Sequence, residues 1–238
     1  MSPFGQRIFD IAGAAFLLVL ATPVLLIAAI AIRLTSVGPV FFRQVRLGRY
    51  GVPFRIYKLR TMYHRPPSGP AITVAGDQRI TPIGRLLRRS KIDELPQLLN
   101  VLQGEMSLVG PRPEVPAYRH VFDQHFAEVL LSRPGMTDPV SLQLIDEEKF
   151  LRQFSEPLRA YEEVLLPRKL QLSLEYLRRR RLRDDMRLIF VTLMAAIGVR
   201  RRTLATTSIF HADRAGQLKP QHLGSSWTSY RETNDYVA

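Results

Sequence analysis

The chain has 238 residues, with 34 lysines and arginines against 21 acidic residues, for a formal net charge of +13. The absence of cysteine excludes a disulfide framework, a thiol nucleophile and thiolate metal sites. A hydrophobic fraction of 46% suffices for one globular unit, and the charge calls for an anionic partner such as nucleic acid, acidic lipid or a phosphorylated substrate.

The first element is an uncharged run from Ile11 to Ile32, preceded by Arg7 and Asp10 and followed by Arg33. As a helix it is roughly 33 Å long, enough to cross a bilayer. Three readings stand side by side. One is a single spanning helix; another is a signal peptide, since Ala29-Ile30-Ala31 resembles a cleavage site. The third turns on Thr22-Pro23. Proline removes a backbone hydrogen bond and breaks or kinks a helix, so two half-length segments could enter and leave by one face. In that form the Thr22 hydroxyl would serve a carbonyl freed by Pro23. Whether the run spans or re-enters, the basic remainder of the chain stays on the cytoplasmic side.

Val40–Leu47 and Pro53–Leu59 flank Gly48-Arg49-Tyr50-Gly51 and predict a β-hairpin with a loop of four or five residues. Arg43, Arg46, Arg49, Arg55, Lys58 and Arg60 lie there among Phe41, Phe42, Tyr50, Phe54 and Tyr57. This composition is equally that of a solvated strand face, of a nucleic-acid surface with stacking aromatics, or of a phosphate site at headgroup level.

Ile80 to Glu114 reads ITPIGRLLRRSKIDELPQLLNVLQGEMSLVGPRPE. Ser90-Lys91-Ile92-Asp93 has the form of a capping box, with Ser90 as N-cap and Asp93 at the third helical position. The helix continues through Leu98, Leu99, Val101 and Leu102, and Gly104 is its stop. Asp93 and Glu94 then lie near a helix start, where exposed amides favour ionised carboxylates and attract phosphate. One carboxylate can attack phosphorus while its neighbour holds a divalent cation such as magnesium. Arg85, Arg88 and Arg89 lie one turn upstream and can neutralise charge on a transferring group. In Gly110-Pro111-Arg112-Pro113 the flanking prolines pre-order a guanidinium suited to phosphate; alone, the segment is equally a connector.

Val115–Leu131 and Asp146–Phe154 carry helical patterns around the turn Arg133-Pro134-Gly135, and Leu165–Leu177 is amphipathic. The cationic block Arg178-Arg179-Arg180-Arg181-Leu182-Arg183 precedes the uncharged run Leu188–Val199, too short to span and so buried or interfacial. Such a pairing suits docking on anionic lipid and equally a solvated helix end. Residues 201–238 form a polar C-terminal tail with no recognisable motif. The five histidines (His64, His120, His125, His211 and His222) are scattered, which argues against a histidine-based zinc site.

The Asp93–Leu98 and Met106–Glu114 motifs together resemble the signature of the bacterial sugar transferases, the monotopic phosphoglycosyl transferases that load sugars onto polyprenyl phosphate. The resemblance covers roughly residues 5 to 199. It includes RIFDIAGA (Arg7–Ala14), GPVFFRQVRLGRYGVPFRIYKLRTM (Gly38–Met62), ITPIGRLLRR and RPGMTD (Arg133–Asp138). It continues more loosely at LPRKLQLSLEYL (Leu166–Leu177) and DMRLIFVT (Asp185–Thr192). It implies that Asp93 is the nucleophile and Glu94 the magnesium ligand. Lys58, Arg88 and Arg112 would surround the phosphates, and Asp138 and Asp185 are carried as further substrate-binding candidates.

The implied reaction moves a phospho-sugar from a UDP-sugar to undecaprenyl phosphate in two steps through Asp93. It starts a glycan such as an exopolysaccharide, O-antigen, capsule or glycoprotein glycan at the cytoplasmic face of the inner membrane. The family's N-terminal element is a re-entrant helix broken at Ser-Pro; Thr22-Pro23 keeps the hydroxyl and the proline and so favours re-entry. The expected fold is α+β and mostly helical: a membrane element over residues 1–36, a catalytic domain over 37–200 with a small basic hairpin and membrane-docked amphipathic helices, and the tail. Nucleic acid is not an expected partner, membrane lipid is, and a homodimer is left open. The competing expectation is a membrane-tethered basic module that binds nucleic acid or lipid without catalysis.

Overall fold

The computed structural model describes residues 3–64, 77–138 and 156–196, with Val140, Glu147, Leu151 and Phe154. The polar tail 201–238 lies outside the described residues, as does most of the helical pattern expected over Asp146–Phe154. Helix dominates, with two two-stranded sheets.

Helix α1 (Pro3–Thr35) is rich in alanine, leucine and isoleucine and is assigned continuously through Pro23. Asp10, Ala14, Ala21, Ala28 and Ile32 are buried, at spacings of four and seven that keep them on one face. Small side chains along that face let the backbone approach closely; a Cβ on Gly13 would come within 2.7 Å of Leu108. The opposite face exposes Phe16, Val19, Leu20, Ile27 and Ile30. Near its start, Arg7 donates to the carbonyls of Val101 and Leu102 at 2.7 and 2.9 Å, and Asp10 Oδ1 accepts from Leu108 N at 3.0 Å. Toward its end, Ala28 and Ile32 join Leu59 and Leu87 in a core cluster. Both ends of α1 are therefore fastened to the same folded unit. The Thr22 hydroxyl donates to Leu18 O at 2.8 Å. The carbonyl deprived by Pro23 is that of Val19, so the hydroxyl does not serve the freed group.

The hairpin forms as its alternation and glycines dictate. Strands β1 (Phe41–Leu47) and β2 (Pro53–Leu59) pair antiparallel from Phe41↔Leu59 to Leu47↔Pro53 around a turn in which Tyr50 and Gly51 both have positive φ. Phe54, Ile56 and Lys58 share one side of β2, and the first two are buried. Helix α2 (Pro82–Ser90) begins at Thr81, whose side chain accepts from Gly84 N at 2.9 Å, with Pro82 at the first helical position.

The expected capping box does not form. Ser90 ends α2, and its hydroxyl turns back to the carbonyls of Leu86 and Leu87 at 2.9 and 3.1 Å. Lys91 follows with φ of 60°, a left-handed cap that redirects the chain into a 3-10 turn, Ile92–Gln97. That turn carries Asp93, Glu94 and Pro96 and leads into α3 (Leu98–Gln103), which stops at Gly104 with φ of 87°.

Strand β3 (Ser107–Val109) pairs in parallel with β4 (Gly135–Thr137). Between them, residues 116–131 form short 3-10, α and π pieces, including α4 (Arg119–Val121), in place of one regular helix. Helix α5 (Pro157–Ala160) passes through a π turn, Tyr161–Leu165, into α6 (Leu166–Arg179). Helix α7 (Leu182–Ala196) buries Asp185, Leu188 and Val191 and exposes Leu182, Met186, Phe190 and Leu193.

Candidate functional site

Two side chains, one from β2 and one from the Gly110–Pro113 loop, converge on Glu94. Lys58 Nζ donates to Glu94 Oε1 at 2.7 Å, and Arg112 Nη2 donates to the same oxygen at 2.7 Å. Lys58 arrives there because it continues the inward face of Phe54 and Ile56. Burial alone would push the Glu94 carboxyl up, but Arg112 and Lys58 hold it well below the usual carboxylate range. In return Glu94 raises the Arg112 guanidinium against burial. The Lys58 ammonium is lowered by burial, which the facing Glu94 offsets only in part.

Asp93 sits in a different environment. It is 6% exposed, and its Oδ1 is buried without a hydrogen-bond partner among the described residues. Burial, followed by repulsion from Glu94, raises its carboxyl to about 6, despite attraction from Lys58, Lys91 and Arg88. The buried Arg88 Nη1 likewise has no partner among the described residues. An unpaired carboxylate oxygen and an unpaired guanidinium nitrogen are both costly to bury, and both are ready for a ligand. Arg85 and Arg89 point outward and are exposed.

The Arg112 loop is held by a crossing of two glycines. A Cβ on Gly135 would run into the backbone of Gly110, and one on Gly110 would lie 2.7 Å from Arg133 O. This close approach lets Gly110 N donate to Thr137 O at 3.1 Å and Gly135 N to Pro111 O at 2.8 Å. The RPGMTD segment thereby fixes the loop that presents Arg112.

Among the described residues no group of three or more histidine, aspartate or glutamate side chains could hold a metal ion. The donors near the site are the unpaired Asp93 Oδ1 and the Glu94 carboxylate. That set fits a cation such as magnesium bound through one or two carboxylates with substrate phosphates completing its shell, and does not fit a closed protein cage.

Lys58, Glu94 and Arg112 are thus in direct contact, and Asp93 and Arg88 flank them. Asp138 and Asp185 have other surroundings. Asp138 is buried beside β4, and its Oδ1 accepts from Val140 N at 3.1 Å. Asp185 is buried at the first turn of α7, where Arg180 grips it with Nε and Nη2 at 2.9 and 2.7 Å and the Tyr176 hydroxyl bonds it. Arg180 also donates to Val109 O at 2.9 Å, which ties this cluster to β3. Thr22 and Pro23 lie within α1.

Asn100 is a residue that sequence reasoning missed. It is fully buried and acts as a strand edge: Oδ1 accepts from Tyr57 N at 3.1 Å and Nδ2 donates to Arg55 O at 2.8 Å. This sets the height of β2, and so of Lys58, against the turn carrying Glu94. Its signal was present, a lone amide within Leu98-Leu99-Asn100-Val101-Leu102.

Comparison with known proteins places these residues in a wider set. The model of the family described as bacterial sugar transferase matches residues 1–199. A UDP-glucose:undecaprenyl-phosphate glucose-1-phosphate transferase of Caulobacter vibrioides is 50% identical over 137 residues, 56% of this chain and 51% of that protein. An Escherichia coli protein of the same name is 35% identical over 193 residues, 79% of this chain and 39% of that protein. A UDP-N-acetylgalactosamine-undecaprenyl-phosphate N-acetylgalactosaminephosphotransferase of Aeromonas hydrophila is 41% identical over 138 residues, 56% and 33% of the two chains. The aligned part is thus between a third and about half of the length of these relatives.

Proposed function

The chain belongs to the bacterial sugar transferase family, and from that membership we propose that it transfers a phospho-sugar from a uridine-diphosphate sugar to polyprenyl phosphate, releasing uridine monophosphate. The observation that carries this reading is the contrast between the two carboxylates. Glu94 is ionised and clamped by Lys58 and Arg112, while Asp93 keeps an unpaired buried oxygen. A membrane-tethered basic binding module would leave this arrangement without use. The relatives named for UDP-glucose and UDP-N-acetylgalactosamine support the donor class, and their shared undecaprenyl phosphate supports the acceptor.

In the proposed first step an Asp93 carboxylate oxygen attacks the sugar-bearing phosphorus of the donor. The bond between that phosphorus and the bridging oxygen breaks, and the electron pair leaves with uridine monophosphate. The product on the protein is an acyl phosphate that still carries the sugar. In the second step a phosphate oxygen of the acceptor attacks the same phosphorus. The Asp93 carboxylate departs, and polyprenyl-diphosphate sugar is formed. Arg112, Lys58 and the unpaired Arg88 nitrogen supply positive charge around the transferring group. Magnesium held by Glu94 would add charge neutralisation at the donor's diphosphate.

The acceptor is a lipid, so the site must lie at a membrane. We place it at the cytoplasmic face of a bacterial inner membrane, and support for a one-sided arrangement comes from α1. Its outer face is apolar, yet residues near both its ends are fastened to the same folded unit. Fastening near both ends to one unit favours re-entry over carrying one end across. The outward stripe of α7, flanked by exposed Arg183 and Arg187, would rest on the same surface.

The test is release of uridine monophosphate by the lipid-solubilised protein, given magnesium and a panel of uridine-diphosphate sugars, with and without polyprenyl phosphate. Sustained release that needs the lipid and disappears in Asp93→Asn supports the proposal. Normal turnover by Asp93→Asn overturns it.

A further inference from the structure

We propose that Glu114 is a positioning residue, which with Tyr161 and Lys169 fixes the Pro111–Pro113 loop so that Arg112 meets a diphosphate in one orientation. The identity of that diphosphate rests on the function proposed above; the positioning itself does not. Prolines 111 and 113 have no N–H, so the loop is fastened through its carbonyls. Pro111 O accepts from Gly135 N at 2.8 Å, Pro113 O from the Arg46 guanidinium at 3.2 Å, and Glu114 O from Leu47 N at 2.7 Å. These bonds tie the backbone to β4 and β1.

The Glu114 side chain ties it to the helices on a third side. Its Oε1 accepts from the Tyr161 hydroxyl at 2.7 Å and faces Lys169 Nζ at 3.4 Å, while Oε2 lies 3.9 Å from Arg46. Tyr161 and Lys169 stand eight residues apart, on one side of the α5–α6 run. Lys169 Nζ also lies 5.0 Å from the centre of the Tyr161 ring. Glu114 and Lys169 are each 5% exposed. An apolar cluster of equal volume would stabilise the fold as well or better, because burying ions is costly. What the ionic cluster adds is direction. Charges alternate from Glu94 through Arg112 to Glu114 and on to Lys169, so the guanidinium is held at one end by its loop and at the other by Glu94.

The test is a double-mutant cycle between Glu114 and Arg112, read in turnover and in binding of inorganic pyrophosphate by the full chain. Glu114→Gln is expected to lower kcat and pyrophosphate affinity about tenfold to a hundredfold, and to cost nothing further in an Arg112→Ala background. Equal losses in both backgrounds would show a structural role alone and overturn the proposal. Should Glu114→Gln fail to fold, Tyr161→Phe carries the same cycle, since it removes one hydrogen bond without stranding a charge. Pyrophosphate binding without sugar-phosphate transfer would overturn the proposed function and leave the positioning role standing. No pyrophosphate binding by the unmodified chain would overturn the positioning role.

Discussion

Asp93 and Glu94 are neighbours in the chain, yet Glu94 receives both Lys58 and Arg112 at 2.7 Å while Asp93 keeps a buried oxygen with no partner. The 3-10 turn produces this difference. Successive residues of such a turn point about 120° apart, so one carboxylate meets the hairpin and the Arg112 loop and the other does not. Two identical functional groups are thereby separated into an ion clamped in place and a carboxylate left available to attack.

This separation predicts a pH profile. Asp93 must be ionised to attack, and burial with the Glu94 charge raises it to about 6. The acidic limb of kcat/KM should therefore fall with an apparent value near 6, well above that of an ordinary aspartate. Lys58 opposes the rise, so Lys58→Met should move the limb upward by about one unit. A limb that stays in place in Lys58→Met would contradict the assignment.

Stability should change in the opposite sense to activity. The folded value of Asp93, about 6, lies above the 3.8 of an unperturbed carboxyl. Its contribution to stability is complete below about pH 4 and is lost as pH rises through 6. At pH 7.5 the ionised group costs about 2–3 kcal/mol. Asp93→Asn should abolish turnover and raise Tm by about 4–8 °C at that pH, with the gain disappearing near pH 4. Thermal unfolding at both pH values checks this, and an unchanged or lowered Tm at pH 7.5 would refute it.

Asn100 supplies a test of the scaffold. Asn100→Ala leaves Tyr57 N and Arg55 O without their side-chain partners, at a cost of about 2–4 kcal/mol. Because β2 also carries Lys58, turnover measured well below the unfolding range should fall about tenfold. Full activity in a destabilised variant would show that Asn100 supports the fold without setting the site.

Local patterns made part of this structure legible in the sequence. The alternation of Phe54, Ile56 and Lys58 with glycines 48 and 51 specified the hairpin, and Gly104 specified the end of α3. The long uncharged run specified α1. The Ser90 capping box was misread because Thr81-Pro82 starts a helix nine residues earlier, for which Ser90 is the last residue. The partners of Glu114 lie 47 and 55 residues away and those of Asn100 lie 43 and 45 residues away on β2, so no short-range periodicity reports them. Val115–Leu131 carries a helical pattern because its apolar spacing is helical, while the backbone of 116–131 breaks into short 3-10, α and π pieces.

The central claim is that Asp93 takes the phospho-sugar onto itself. The most direct measurement is the intact mass of the protein after brief exposure to its uridine-diphosphate sugar with magnesium and no polyprenyl phosphate. The account predicts one added phospho-sugar, mapped by peptide fragmentation to Asp93, removed on adding polyprenyl phosphate and absent in Asp93→Asn. Lipid-dependent turnover with no adduct at any time, or an adduct that persists in Asp93→Asn, would contradict it.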